Sequence, residues 1–351
     1  MVRAGKTSPN ICSKYLTLAQ SQAAVTGGRN SNATPAQSPV VLGKAKADSS
    51  MRIKYRYLQY DSHLKTIKPV RAILDKYSHA YAYKEDLDCV IPTFKYTIEF
   101  YLYEDNPDFG LIKQEINKFL EPQVIGTEYE KADIKNAEWF IASTGQYHYP
   151  QPEDEYLEKT FDLGNYCNLC GIGRVQNAPF RLKAEPKQHN NQFWGLHWEY
   201  FAVFIRQETK SILEKEKIKG IRFSKPVLNK KNIEIDGFYQ LQIDTILNKG
   251  FDSYNTQTIT CKINNEENCN TDLNLSCCGR TKFHHPRIGG YLFDKSIFNP
   301  DFDIVQSNEY FGSGASAHRI QIVSKRFKDL VEKNKLKGLS FTPIVHDRLV
   351  R

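Results

Sequence analysis

Cysteine is the residue type with the most chemistry to offer in this chain, and two of its eight copies stand two residues apart. Cys167-Asn-Leu-Cys170-Gly171 places two thiols within reach of one ion, and the glycine lets backbone N–H groups turn toward the sulfurs, as in a zinc knuckle. A partial copy lies downstream at Leu275-Ser276-Cys277-Cys278-Gly279. There Cys278-Gly279 registers on Cys170-Gly171, and Leu275 stands in the place of the first cysteine. Cys167, Cys170 and Cys278 are then three ligands of one structural zinc. The fourth comes from Cys277, Cys269, Cys261, His284 or His285, or is missing. The set adopted is Cys167, Cys170, Cys277 and Cys278, although adjacent cysteines fit knuckle geometry poorly.

Other uses of cysteine compete. Plain reduced thiols are the simplest. A disulfide framework suits a secreted chain, but no secretory signal is seen and 351 residues can build their own core. A redox pair needs a helix N-terminus after its first cysteine, which Gly171-Ile-Gly173 does not promise. Elsewhere, Gly312-Ser-Gly-Ala-Ser-Ala-His318 matches neither a phosphate loop nor a nucleophile elbow and reads as a turn feeding a strand at Arg319. His197, between Trp194 and Trp198, reads as a packing residue. No set of nucleophile, base and oxyanion donors can be assembled, so a non-enzyme is expected.

The elements that must position the knuckles are written twice. Residues 212–227 (ILEKEKIKGIRFSKPV) and 330–345 (LVEKNKLKGLSFTPIV) align at an offset of 118, with Gly220 on Gly338 and Phe223 on Phe341. Each copy predicts an apolar strand, a helix, a glycine at the left-handed C′ position, a short strand and a proline. Ser324 is the expected N-cap of the second helix, with Phe327, Leu330 and Val331 on one face. The expected fold is α+β: a mixed sheet with a duplicated strand–helix–strand unit, each copy preceded by a Cys-Gly knuckle.

Residues 1–50 are poor in aromatics and acids and read as a disordered leader or an overextended start. They carry much of the net charge of +8, leaving +3 for the rest, which is no nucleic-acid signature by charge alone. Residues 51–159 read as an N-terminal α+β region, with strands at 51–60 and 94–103 and a helix over Ile112, Ile116 and Leu120. Residues 160–351 hold the duplicated domain. No apolar run is long enough for a membrane span.

In order, the CxxCG knuckle, Ala178-Pro-Phe-Arg-Leu-Lys-Ala-Glu-Pro186, a tryptophan-led strand at Trp198, Lys-Gly-Ile-Arg-Phe, a second Cys-Gly, Glu309-Tyr-Phe-Gly-Ser-Gly and Lys-Gly-Leu-Ser-Phe-Thr-Pro make a recognisable set. The set resembles the double-CxxCG motif proteins, a bacterial group associated with immunity to polymorphic and contact-delivered toxins, over roughly residues 160–345. Leu275 departs from the pattern. The resemblance implies a cytoplasmic, non-catalytic protein that neutralises a cognate toxin by direct binding. Tyr101, Tyr103, Glu104, Asp105, Glu153, Asp154, Glu155 and Tyr156 form the candidate surface for such a partner, since tyrosine gives contact area and carboxylates complement a basic toxin. The alternative is a zinc-knuckle nucleic-acid-binding module, supported by Arg174, Arg181, Lys183 and Lys187.

Overall fold

The strongest alternating stretch of the sequence becomes the inner strand of a four-stranded sheet. The computed structural model describes residues 52–59, 64–79, 81–86, 96–103, 106–119, 123–144, 146–147, 156–186, 190–196, 199, 201–254, 256–262 and 278–346. All belong to one compact unit, Lys44–Arg351. The expected leader, residues 1–50, lies outside the described residues. Among the described residues no helix is long and apolar enough to cross a membrane.

Tyr96–Tyr103 pairs antiparallel with Arg52–Gln59 on one side and Tyr81–Asp86 on the other, and Gln123–Glu128 closes the far edge. Helix Leu64–Lys76 connects the first two strands and helix Phe109–Asn117 the last two. This βαββαβ order leaves one face of the sheet to the helices. Ile98, Phe100 and Leu102 occupy that face at 0–1% exposure, against Ile67, Val70, Leu74, Ile112 and Ile116. The opposite face carries Glu99, Tyr101 and Tyr103, all half-buried.

Residues 134–142, which suit either a strand or a short helix, do both: helix Lys131–Asn136 gives way to strand Trp139–Thr144. That strand leaves the N-terminal region. It sits in a seven-stranded sheet between His318–Ser324 and Leu339–Val345. In a separate five-stranded sheet, Phe238–Ile243 sits between Val203–Arg206 and Ile221–Ser224. The registers agree. Val203 faces Leu241 as Gln321 faces Ala142, and Ile221 faces Ile243 as Leu339 faces Thr144. Both middle strands have antiparallel neighbours on either side; Trp139–Ala142 is buried throughout, whereas in Phe238–Ile243 only Gln240 and Leu241 are.

The two sheets and the helices Gln207–Lys215 and Lys325–Lys333 share one core. Phe140, Phe193, Val203, Ile205, Leu213, Leu241, Ile304, Val323, Phe327 and Val331 meet there. Alternate residues of the same strands turn outward into two further clusters. Trp194 and Phe204 stack in one (4.6 Å between ring centroids); Trp139, Ile141 and Ile322 pack with Phe293 in the other.

Ser324 caps its helix as expected, its Oγ accepting from the Phe327 N–H at 3.2 Å. The helix ends differ from expectation. The left-handed C′ residues are Lys217 (φ 52°) and Lys335 (φ 54°), not the glycines. The Ile218 N–H donates to the Leu213 carbonyl at 3.1 Å and the Leu336 N–H to the Val331 carbonyl at 3.0 Å, a Schellman closure in both. Gly220 (φ 95°) and Gly338 (φ 104°) answer a different demand. A Cβ on Gly220 would lie 2.0 Å from the Ile304 carbonyl oxygen, and one on Gly338 would lie 1.9 Å from that of Phe193. Backbone hydrogen bonds lock these approaches: the Lys219 carbonyl accepts from Asp303 and Ile304, and the Lys337 carbonyl from Gln192 and Phe193.

Gly220→Ala and Gly338→Ala should each lower the unfolding free energy by more than about 1 kcal/mol, because neither the backbone angle nor the space admits a methyl group. Lys217→Gly and Lys335→Gly should be neutral or stabilising by up to about 1 kcal/mol, since the strained backbone then suits its residue. Urea unfolding of the four variants separates the two roles.

Candidate metal centre

The knuckle at Cys167–Gly171 folds by its own backbone. The Gly171 N–H donates to the Cys167 carbonyl at 2.7 Å, and the Cys167 N–H to the Ile172 carbonyl at 2.9 Å. Gly171 has φ 79°, and a Cβ there would meet the Ala315 carbonyl oxygen at 2.0 Å. The turn at Ser313–Ala315, read from sequence as a feed into the strand at Arg319, is thus the wall against which the knuckle is pressed. Lys282, buried, donates its Nζ to the Cys170 carbonyl at 3.0 Å and also to the Gly314 carbonyl, tying knuckle to wall.

Cys278 comes from the second Cys-Gly, where Gly279 has φ 67°. The fourth sulfur belongs to Cys261. Strand Thr258–Thr260 pairs antiparallel with Thr281–Phe283, and the Cys261 N–H donates to the Arg280 carbonyl at 2.9 Å, which sets Cys261 beside Cys278. Cys277, the fourth ligand adopted from sequence, lies outside the described residues, as does Cys269. The sequence offered Cys261 only as one of five candidates for the fourth ligand; the pairing that brings it to Cys278 shows in the structure.

All four Sγ atoms lie within 4.8 Å of one another, with Cys167–Cys261 at 3.8 Å and Cys170–Cys278 at 3.5 Å. Four Zn–S bonds of about 2.3 Å at tetrahedral angles place sulfurs about 3.8 Å apart. Cys167, Cys170 and Cys261 are buried and Cys278 half-buried, all as free thiols. The donor set, spacing and burial make this a site for one structural zinc. His284 and His285 take no part in it. His285 instead meets the Tyr291 hydroxyl through Nδ1 at 2.6 Å.

The surroundings divide the thiols. Burial pushes Cys170 up to about 12 and raises Cys261 as well. Burial acts the same way on Cys278, but hydrogen bonds from Arg280 outweigh it and bring that thiol down to about 6. Arg280 is itself placed by donation to the Asn165 carbonyl at 2.7 Å. Metal binding removes all four protons, so the ion reverses the effect of burial at Cys170 and Cys261.

The other sequence candidates separate. Arg174 forms a two-pronged ion pair with Glu199 at 2.8 and 2.7 Å and lies over the rings of Phe161 and Phe201. Arg181 donates to the Asn232 side chain at 2.8 Å. Lys183 is exposed, and Lys187 lies outside the described residues. Of the partner-surface residues, Tyr101 and Tyr103 are on the N-terminal sheet, with the Tyr101 hydroxyl donating to Glu99 at 3.2 Å. Tyr156 begins the short helix Tyr156–Thr160. Glu104, Asp105, Glu153, Asp154 and Glu155, like His197 and Trp198, lie outside the described residues. Compared with known proteins, the chain matches no family model and no curated protein.

Purified chain should hold one zinc per molecule by elemental analysis. Cys261→Ser and Cys278→Ser should abolish tight retention, whereas Cys277→Ser should keep it. A pH effect follows from His318, which stacks on Phe201 and is pushed down to about 4 by burial, with His285, Arg174 and Lys282 acting in the same direction. In the unfolded chain the same group titrates near 6.5. The unfolded state therefore binds more protons between those values, and this contribution to stability is full above about pH 6.5 and lost as pH falls toward 4. His318→Gln should make the decline of the urea midpoint over that window shallower.

Proposed function

We propose that the chain is a non-catalytic binding protein whose C-terminal body is stapled by one structural zinc. The observation that carries this is the composition of the cluster. Four cysteines satisfy all four tetrahedral positions of zinc and leave none for water or a substrate, which is the arrangement of a structural rather than a catalytic ion.

The finer architecture supports the same role. We read residues 139–228 and 238–345 as two copies of one half-domain that exchange their first strands. Trp139–Thr144 completes the sheet of the second copy and Phe238–Ile243 that of the first. The correspondence extends past the helices. Val227–Leu228 pairs in parallel with Arg181–Leu182, as Ile344 and Val345 pair with Tyr291 and Leu292. Each half then supplies two sulfurs, Cys167 and Cys170 from one and Cys261 and Cys278 from the other. A metal at this junction fastens the halves as a disulfide would, without requiring an oxidising compartment.

The nucleic-acid alternative gains the metal but not the knuckle as its contact surface. Arg174, Arg280 and Lys282, the cations around the cluster, are turned to Glu199, Asn165 and the knuckle carbonyl. In this reading the metal region is scaffold and recognition occurs elsewhere. The toxin partner is implied by the resemblance alone.

Chelation tests the scaffold role. Removing zinc from the folded chain should lower the thermal midpoint and make residues 161–182, 256–262 and 278–283 the first to exchange amide hydrogens, with recovery when zinc is returned. A chain that lacks stoichiometric zinc, or that unfolds at the same temperature with and without it, would sink the proposal.

A further inference from the structure

The four sulfurs are close together, but they are not equivalent. Cys167, Cys170 and Cys261 are buried, and Cys278 is half-buried. Bound to zinc, each is held as a thiolate, the form of sulfur that attacks an electrophile. Of the four, Cys278 is the one a small solute reaches from solvent. Two contacts join a cysteine of the knuckle to one of the second pair: Cys170 Sγ lies 3.5 Å from Cys278 Sγ, and Cys167 Sγ lies 3.8 Å from Cys261 Sγ. A disulfide needs about 2.05 Å, so one side of the Cys170–Cys278 pair must move. The two turns differ in the room they have. Gly171, beside Cys170, is pinned: a Cβ there would meet the Ala315 carbonyl oxygen at 2.0 Å, and Lys282 ties the Cys170 carbonyl to the same wall. Gly279, beside Cys278, is exposed, and a Cβ there would meet nothing within 4 Å. The Cys278 turn is the one with space to close the gap.

We propose that Cys278 is an oxidation site for hydroperoxides, and that its oxidation joins it to Cys170 and expels the zinc. The proposal rests on the reading of the cluster as a structural zinc site. The Cys278 thiolate attacks one peroxide oxygen; the O–O bond breaks, and the departing hydroxide takes a proton and leaves as water. Cys278 is then a sulfenic acid. The Cys170 thiolate attacks its sulfur, the S–O bond breaks, and a second hydroxide leaves with a proton as water. Each sulfur has given one electron, and one hydrogen peroxide has become two waters. The ion keeps only Cys167 and Cys261, which do not fill its four positions, and it leaves as a divalent cation. A second peroxide couples the remaining pair in the same way. Each bond joins the Cys167–Cys170 turn to the segments that carry Cys261 and Cys278, so the cross-link outlasts the metal. A disulfide within the knuckle, Cys167–Cys170, would instead leave those segments unjoined.

The test uses the full, zinc-loaded chain with Cys12, Cys89, Cys269 and Cys277 replaced by serine, which leaves the four sulfurs of the cluster. Hydrogen peroxide is added in stoichiometric steps. Zinc release is followed with a chromogenic chelator, and the bonds formed by intact mass and non-reducing peptide mapping. Zinc is expected to leave completely, in step with the loss of two hydrogens from the mass. The first disulfide mapped should be Cys170–Cys278, and dithiothreitol with added zinc should restore the starting state. If the serine background does not fold, the wild-type chain is mapped instead, and the same pair should form first. Zinc that stays bound in a large excess of peroxide overturns the proposal. So does a first disulfide between any other pair, or Cys278 recovered as a sulfinic acid with no disulfide formed. Zinc content before peroxide keeps the two readings apart. A chain with one zinc that resists peroxide overturns the oxidation site alone. A chain purified without zinc overturns the scaffold, and in that chain the mapped disulfide decides the oxidation site.

Discussion

Four sulfurs from two distant stretches of chain converge within 4.8 Å in a mostly buried place, and the local structure follows from that demand. Bare thiolates this close repel one another, and burial pushes the Cys170 thiol up. A divalent ion resolves both problems, because it replaces repulsion by four bonds and makes the charged form the favoured one. The turns around the site are shaped to keep the sulfurs within reach of one point. Gly171 lets the knuckle press against Ala315, and Lys282 joins the two carbonyls on either side. Arg280 reaches across from one cysteine pair to the turn that carries the other. None of these residues makes sense as surface decoration. All of them shorten the distance between segments that the chain separates by more than ninety positions.

The second constraint is reciprocal. At each helix exit a lysine carbonyl receives two backbone N–H groups from the start of a strand distant in sequence, and a side-chain oxygen just before that strand accepts the lysine N–H in return. Asp303 does this for Lys219 at 3.0 Å, and Gln192 does it for Lys337 at 2.8 Å. A carboxylate in one place and an amide in the other both present an oxygen, so the geometry survives a change of charge. The glycines are fixed for the same reason, since they stand where two backbones touch. Such paired approaches leave little freedom for the joined segments to shift against each other. That suits a body serving as a rigid support.

The repeat was legible in the sequence because its helices and lysine–glycine exits kept their spacing. Ser324 could be named as a cap because its hydroxyl acts on its own helix. The glycines were visible, but their cause was not. Read locally, Gly220 is a helix terminator; in the fold it is a contact with Ile304, and the helix ends three residues earlier on Lys217. The placing of Trp139–Thr144 between His318–Ser324 and Leu339–Val345 was hidden because strand pairing across such distances leaves no local mark. Helix Leu64–Lys76 escaped notice because Pro69 interrupts a pattern that Ile67, Val70 and Leu74 otherwise spell out. At the metal, three ligands followed from knuckle spacing. Cys261 did not, because it arrives on a neighbouring strand and has no partner two residues away.

The two regions bury their aromatic residues to different degrees. In the body, cations near the metal face carboxylates, carbonyls and rings within the fold; Phe180, Phe193, Trp194, Phe204, Phe293 and Phe311 are fully buried, while Phe201, Phe238, Phe251, Tyr291 and Tyr310 are half-buried. In the N-terminal sheet the helices take one face, and Glu99, Tyr101 and Tyr103 stand half-buried on the other, an arrangement that stability does not require, since a sheet can be solvated by short polar residues. Large rings placed where they gain only part of their burial contribute less to folding than they would inside.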